Sequence, residues 1–149
     1  MYLKKGHWLA VIDGAHGLVF VNEGTALEPD LKIVRSYGQQ NPKTSEQGRD
    51  KPGRTFESVG VRRSSNEAPD LHRRAEDTFV SRIMHDLAKD AERGAFDEIV
   101  IAAPPVALGV LRKAAPKTLT ARVRLWIDKD LTNEPVANIA NTVAKILAG

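Results

Sequence analysis

The sequence predicts an α/β fold, in which a single domain over residues 1–149 holds one mixed five-stranded sheet with helices on both faces. Three apolar segments joined by short turns come first, as in an antiparallel meander. Two further strand-like segments then alternate with segments of helical periodicity, as in crossover units with parallel strands. A chain of 149 residues suffices for one good core and is short for two ordinary domains. The predicted order is therefore β-β-β-α-β-α-β-α, as in ribonuclease-H-like folds.

The first three strands are predicted near 7–13, 16–22 and 31–37. Trp8 to Ile12 is a continuous apolar run that ends at Asp13-Gly14, as expected for a strand buried on both faces. Leu18 to Val21 follows at a spacing that predicts a tight hairpin. Leu31 to Tyr37 comes after another short turn and completes the meander.

The remaining strands are predicted near 97–103 and 122–128, and the helices near 69–93, 105–114 and 134–148. Pro69 and Pro105 suit the first position of a helix. Val123, Leu125 and Ile127 alternate with other residues, which indicates a half-exposed strand near a sheet edge. The apolar stripes of the three helices are expected to be Leu71, Ala75, Phe79, Ile83 and Leu87 in the first, Ala107, Val110, Leu111 and Ala114 in the second, and Val136, Ile139, Ala140, Val143, Ile146 and Leu147 in the third.

A long basic loop is predicted between Gly38 and Ala68, where no apolar period survives. Residues 41–63 contain six basic and three acidic side chains, an excess of three that equals the net charge of the whole chain, +3. Arginine presents a planar fork of donors to phosphate oxygens, and an aromatic ring stacks on bases, so the loop is a candidate polyanion site. Its candidate residues are Arg49, Lys51, Arg54, Phe56, Arg62 and Arg63. The alternative is a solvated loop that one aromatic residue anchors to the body.

Clustered carboxylates are the second candidate site. If the strands that end at Asp13, Ala103 and Ile127 are parallel neighbours, their carboxyl ends meet where ligands usually bind in α/β sheets. Asp13, Asp128 and Asp130 would then lie close together, with Glu76 or His72 from the long helix, and could hold two Mg²⁺ or Mn²⁺ ions for phosphodiester hydrolysis. The alternative is structural: Asp13 supports the hairpin turn, while Asp128 and Asp130 pair with Lys129 or Arg112 or cap the last helix. Pro104-Pro105 similarly marks either a sharp turn or a helix start whose free amides face an anion.

Composition and motif spacing narrow the classes further. The chain has no cysteine, which excludes disulfides and thiolate metal sites and fits a reducing cytoplasm. Lys4 and Lys5 precede an apolar run too short for a membrane span and unlike a signal peptide, so we expect a cytoplasmic protein without a membrane span. Histidine spacing for zinc, a Gly-rich phosphate loop and a GxSxG nucleophile motif do not occur. We therefore expect no cofactor and no metal, except Mg²⁺ or Mn²⁺ if the carboxylates act together.

Several segments, in the same order, carry a resemblance to a known family. They are Val11-Ile12-Asp13-Gly14-Ala15, Asp50-Lys51-Pro52-Gly53-Arg54-Thr55-Phe56, the helix start around His72 with Glu76 and Phe79, Ala103-Pro104-Pro105 with Leu108-Gly109 and Leu111-Arg112, and Ile127-Asp128-Lys129-Asp130-Leu131-Thr132. On these residues, nearly the whole chain resembles the bacterial host-attachment protein family. The resemblance implies a fold like the central domain of archaeal and eukaryotic peptide-chain release factors. It also implies a link to RNA or the ribosome and to attachment of plant-associated bacteria to host cells.

The resemblance does not extend to release-factor catalysis, because the Gly-Gly-Gln tripeptide of true release factors is absent from this sequence. We therefore expect a non-catalytic intracellular binding module for RNA or the translation apparatus, which affects attachment indirectly. Two alternatives remain: a metal-dependent phosphodiesterase or nuclease that uses Asp13, Asp128 and Asp130, and a direct host-cell attachment factor.

Overall fold

A computed structural model describes the backbone of residues 2–38 and 68–149 and the side chains of residues 2–38 and 74–149. Its elements, in chain order, are β1 (Trp8–Ile12), β2 (His16–Asn22), β3 (Leu31–Gly38), α1 (Ala68–Glu92), β4 (Ile99–Ala103), α2 (Pro105–Ala114), α3 (Lys117–Thr120), β5 (Val123–Asp128) and α4 (Val136–Ala148). All five predicted strands and all three predicted helices are confirmed, with boundaries within two residues of those expected. The short helix α3 is an addition that the sequence did not predict.

The five strands form one mixed sheet in the order β3-β2-β1-β4-β5. Strands β1, β2 and β3 pair antiparallel, whereas β4 pairs parallel with both β1 and β5. Every residue of the two central strands, β1 and β4, is buried, which explains why both are continuous apolar runs. The predicted fold class is thus confirmed.

Helices cover both faces of the sheet. Helices α1, α2 and α3 pack on one face, where Trp8, Ala10 and Ile12 of β1 enter their core. Leu9 and Val11 point to the opposite face, where α4 contributes the apolar side chains. Both cores therefore share β1, and the end of this strand lies between the two layers of helices.

The predicted apolar stripes of α1 and α4 are partly wrong. Ala75 is exposed, whereas the buried residues of the described part of α1 are Val80, Ile83, Met84, Leu87, Ala88, Asp90 and Ala91. A spacing of exactly four residues drifts around a helix that has 3.6 residues per turn, so the five positions predicted for α1 at this spacing do not all lie on the buried face. In α4, Val136 and Ile146 are also exposed, and Ile139, Val143 and Leu147 form the buried stripe.

Polar side chains hold the edge strand β3 to α1. Nη2 of Arg35 donates to Asp90 over 2.6 Å, and the hydroxyl of Tyr37 donates to Asp86 over 2.7 Å. Nε of Arg35 also donates to the Tyr37 hydroxyl, and Arg93 makes a second ion pair with Asp90. The Asp90 carboxylate, which is almost fully buried, is therefore compensated by two guanidinium groups, as a buried charge requires.

Candidate functional site

The turn between β1 and β2 is organised by Asp13. Its Oδ1 accepts hydrogen bonds from the backbone N–H groups of Ala15 and His16, at 2.7 and 2.6 Å. Partial burial alone would raise the pKa of this carboxyl, but the hydrogen bonds from Ala15, Thr132 and His16 hold it below its ordinary value. Asp13 thus supports the hairpin turn, as the structural interpretation of this residue predicted.

The segment after β5 reaches the same turn through Thr132. The Thr132 hydroxyl lies 2.8 Å from Oδ2 of Asp13 and 2.7 Å from Oδ1 of Asp130. Asp130 also accepts the backbone N–H of Thr132, so the two residues form a local turn. Asp13 and Asp130 are therefore brought together at the carboxyl edge of the sheet, as predicted, but with a threonine hydroxyl between them.

Within the described residues, neither Asp128 nor Glu76 forms a hydrogen bond with this pair. Asp128 is exposed at the end of β5, where it is the register partner of Ala103. Glu76 lies on α1 against Gly14, and His72 lies among residues whose side chains the structure does not describe. Within residues 2–38 and 74–149, no group of three or more His, Asp or Glu side chains is arranged to hold a metal ion.

The expected partners of Asp128 and Asp130 also differ from those found. Neither carboxylate forms an ion pair with Lys129 or Arg112 in the described part of the chain. Arg112 instead lies over the Trp126 ring, 5.6 Å from its centroid. Residue Pro135 occupies the position before α4, so that helix is not capped by either aspartate.

A cleft of about 280 Å³ opens beside the Asp13 turn, at the carboxyl ends of β1 and β4. It is lined by Gly14, Glu76, Asp77, Val80, Val106, Ala107 and Val110. A Cβ atom at residue 14 would lie 2.8 Å from Cδ of Glu76, so a glycine at this position leaves the room that Glu76 occupies. The cleft combines an apolar wall with two carboxylates, a lining that suits a neutral or cationic group better than an anion.

Helix α2 begins at this cleft. Pro105 is its first residue, Pro104 is the N-cap residue, and no side chain described in the structure caps it. Because proline has no N–H, the free amides of the first turn begin at Val106. Glu76 and Asp77 line the same cleft, so an anion at these amides would meet two negative charges, which weighs against the anion site considered at Pro104-Pro105.

Comparison with protein families shows which family this chain belongs to. The model of bacterial archaeo-eukaryotic release factor family 12 matches residues 7–143. The chain belongs to this family. The match spans all five strands and most of α4, and it confirms the release-factor relationship that the sequence resemblance implied.

Comparisons with curated proteins and with solved structures say less about this family 12 chain. No curated protein matches it. Among solved structures it is similar to the crystal structure of an archaeal translation termination factor, aRF1, with a TM-score of 0.49 and 8% sequence identity. The similarity covers 97% of this chain and 40% of the other, so the family 12 chain spans about two fifths of that factor's length. No helix in the described part of the chain is long and apolar enough to cross a membrane.

The predicted polyanion residues of this family 12 protein lie outside the described residues. They are Arg49, Lys51, Arg54, Phe56, Arg62 and Arg63, within the loop predicted between residues 38 and 68. Their role stays a prediction.

Sequence reasoning missed Thr132 as a member of the carboxylate site. The signal for it was present, because Asp130 and Thr132 follow directly after a strand predicted to lie near β1 at the same edge. A threonine hydroxyl carries no charge, so residue type alone did not mark Thr132 as a partner of the carboxylates.

Proposed function

We propose that this protein is a non-catalytic binding module for RNA or the translation apparatus, acting in the cytoplasm. The observation that carries the proposal is its membership of a release-factor family over residues 7–143. The family name links these proteins to peptide-chain release factors, whose work involves the ribosome. The missing Gly-Gly-Gln tripeptide supports binding without peptidyl-tRNA hydrolysis.

The basic loop supports the same proposal. Six basic side chains between residues 41 and 63 are opposed by three acidic ones, and four of the six are arginines that can grip phosphate oxygens. Phe56 is the one aromatic residue of this stretch and would stack on a base. We propose that RNA binds to this loop.

The test is a filter-binding titration with labelled single-stranded RNA at two salt concentrations. We expect affinity to fall as salt rises, because each neutralised phosphate releases counterions. The triple variant Arg54→Ala, Arg62→Ala and Arg63→Ala should bind more weakly and with a shallower salt dependence. A matched control, Lys4→Ala, Lys5→Ala and Lys145→Ala, removes the same charge from exposed positions elsewhere. Equal binding by the loop variant and the control would remove the loop from the proposal.

A metal-dependent phosphodiesterase is the second candidate, and one observation favours it. Asp13 and Asp130 both reach the Thr132 hydroxyl, so two of the three proposed ligands lie near one point. Against this, Asp13 accepts two backbone hydrogen bonds and shares the Thr132 hydroxyl with Asp130, so much of its acceptor capacity is already used. We expect no rise in melting temperature with Mn²⁺ and no cleavage of single-stranded RNA. Metal-dependent cleavage that Asp13→Asn abolishes would establish the nuclease instead.

The link to host attachment is proposed as an indirect effect of such binding. The alternative, a direct attachment factor, requires the protein on the cell surface. Surface labelling of intact bacteria tests this: recovery of the protein only from the cytoplasmic fraction supports the indirect effect, and a labelled surface pool supports direct attachment.

A further inference from the structure

A second basic segment exists outside the loop, and the net charge conceals it. Residues 104–129 contain six basic side chains, Arg112, Lys113, Lys117, Arg122, Arg124 and Lys129, and a single acidic one, Asp128. The excess disappears in the total because the acidic residues of the chain lie mostly in other segments. Association with a polyanion depends on the local charge rather than on the net charge. At 0.1 M salt, charges more than about 10 Å apart are largely screened from each other.

These cations lie on or beside the edge strand β5 and on the helices α2 and α3. Strand β5 forms an edge of the sheet, with Arg122 immediately before it and Lys129 immediately after it. Helix α2 packs beside this strand, and its last turn carries Arg112 and Lys113. Helix α3 follows with Lys117 at its start. We call the surface formed by these elements the β5 face.

Only part of this charge is neutralised. Arg122 pairs with Asp97 over 3.8 Å, and Arg124 pairs with Glu98. Arg112, Lys113, Lys117 and Lys129 are all exposed, and within the described residues none of them forms an ion pair. Other acidic side chains near this surface are Asp128 and Asp130, on either side of Lys129, and Glu92, which lies beside Thr118. The β5 face therefore keeps an excess of unpaired positive charge.

Trp126 holds the side chain of Arg112 in place on this surface. The guanidinium carbon of Arg112 lies 5.6 Å from the centroid of the Trp126 ring, in a cation–π arrangement that joins α2 to β5. An arginine held against a ring loses less freedom on binding a phosphate than one in open solvent. Trp126 is itself partly exposed, so it also reports on whatever binds there.

We propose that the β5 face is a second RNA-binding surface, in which Arg112, Lys113 and Lys117 contact backbone phosphates. This inference rests on the proposed function and adds a second contact to that of the loop. Lysine and arginine side chains on the two helices beside an edge strand provide phosphate contacts without reading sequence. Binding through this face is therefore expected to be independent of RNA sequence and strongly dependent on salt.

The experiment measures the affinity of the full chain for a labelled single-stranded RNA between 50 and 200 mM salt. The face variant carries Arg112→Gln, Lys113→Gln and Lys117→Gln, and the matched control carries Lys4→Gln, Lys5→Gln and Lys145→Gln. Each phosphate contact on single-stranded nucleic acid contributes about 0.7 to the slope of log affinity against log salt. We expect the face variant to lower that slope by about 2 and to weaken binding about tenfold at low salt. The control should change both quantities much less.

A site-specific readout separates this surface from the loop. The chain has two tryptophans, and Trp8 is buried against Phe96. In Trp8→Phe the emission reports Trp126 alone, and saturating RNA should change its intensity or wavelength. If Trp8→Phe does not fold, Trp126→Phe serves instead, because the RNA-dependent emission change of the native protein should then disappear.

The outcomes distinguish this inference from the proposed function. A face variant that binds like the control, or Trp126 emission that RNA leaves unchanged, overturns the second surface while the loop stands. A weakened face variant beside an unaffected Arg54, Arg62 and Arg63 variant removes the loop and supports this surface. A native protein that binds inorganic polyphosphate but not RNA overturns the RNA assignment of both.

Discussion

The hydroxyl of Thr132 lies 2.8 Å from Oδ2 of Asp13, although 119 residues separate the two in the chain. The same hydroxyl lies 2.7 Å from Asp130. Because a hydroxyl has one hydrogen, it donates to only one of the two carboxylates at a time. This contact joins the first hairpin to the segment between β5 and α4, so it connects the beginning of the fold to its end.

Replacement of Thr132 should therefore destabilise the protein. Thr132→Val keeps the shape but removes the one hydroxyl donor that Asp13 and Asp130 share, while both carboxylates keep their backbone donors. We expect a loss of about 1 kcal/mol in the free energy of unfolding. Urea denaturation measures it. Thr118→Val is the matched control, since the exposed Thr118 hydroxyl reaches Glu92 only at 3.5 Å and should cost less than about 0.5 kcal/mol. Equal losses in the two variants would contradict the role of Thr132.

Asp13 should contribute to acid sensitivity. Its hydrogen bonds lower its pKa below the ordinary value of 3.8, so the folded state holds the charged form more tightly than the unfolded state does. The contribution to stability is present above pH 3.8 and is lost as the pH falls through the lower pKa of the folded state. Asp13→Asn should be less stable at pH 7, and its deficit should shrink below pH 4. Unfolding curves that fall in parallel for both proteins from pH 6 to pH 3 would refute this.

Tyr37 should make the protein sensitive to alkali. Burial and the hydrogen bond to Asp86 raise its pKa from 10.0 to about 12, and the nearby Arg35 opposes part of this rise. Between pH 10 and 12 the unfolded tyrosine loses its proton while the folded one keeps it, so stability falls as pH rises. Tyr37→Phe should be less stable at pH 8, with a deficit that narrows above pH 10. Tyr2→Phe, at a half-exposed position, is the control and should follow the native curve.

Neutralising the buried carboxylate of Asp90 should destabilise the protein strongly. Its side chain is 5% exposed and lies against Arg35 and Arg93, so Asp90→Asn leaves two guanidinium groups without their carboxylate. We expect a loss of about 3 kcal/mol in the free energy of unfolding. Asp97→Asn is the matched control, because Asp97 is 89% exposed and its pair with Arg122 should be worth less than about 1 kcal/mol. Thermal unfolding of both variants measures this difference. A similar fall in melting temperature for Asp90→Asn and Asp97→Asn would contradict it.

The sheet was predictable from sequence because its central strands are covered on both faces. Burial on two sides leaves an unbroken apolar run, which is what Trp8 to Ile12 and Ile99 to Ala103 show. The alternation in β5 likewise indicated an edge, and the topology confirms it. Helix α3 was not predictable in this way, because Lys117–Thr120 is a single turn and too short to show a period.

The polar contacts were harder to predict because they depend on spatial neighbours. Arg35 and Tyr37 alternate along β3, and Asp86 and Asp90 are four residues apart on α1, so each pair shares a face of its own element. Neither pattern indicates that this face of β3 contacts this face of α1. The carboxylate pair was predictable in part, since parallel strands bring Asp13 and Asp130 to one edge, but the distance between them depends on the turn that Thr132 closes.

The pairing of β2 with β3 shifts between Val19 and Phe20, so that Val34 is an extra residue in the outermost strand. A regular outer strand would present an unbroken row of N–H and C=O groups to a strand of another molecule. The extra residue interrupts that row and bends the strand. The chain can therefore leave Ile33 58% exposed beside it, because the irregular edge is a poor template for the growth of intermolecular sheets.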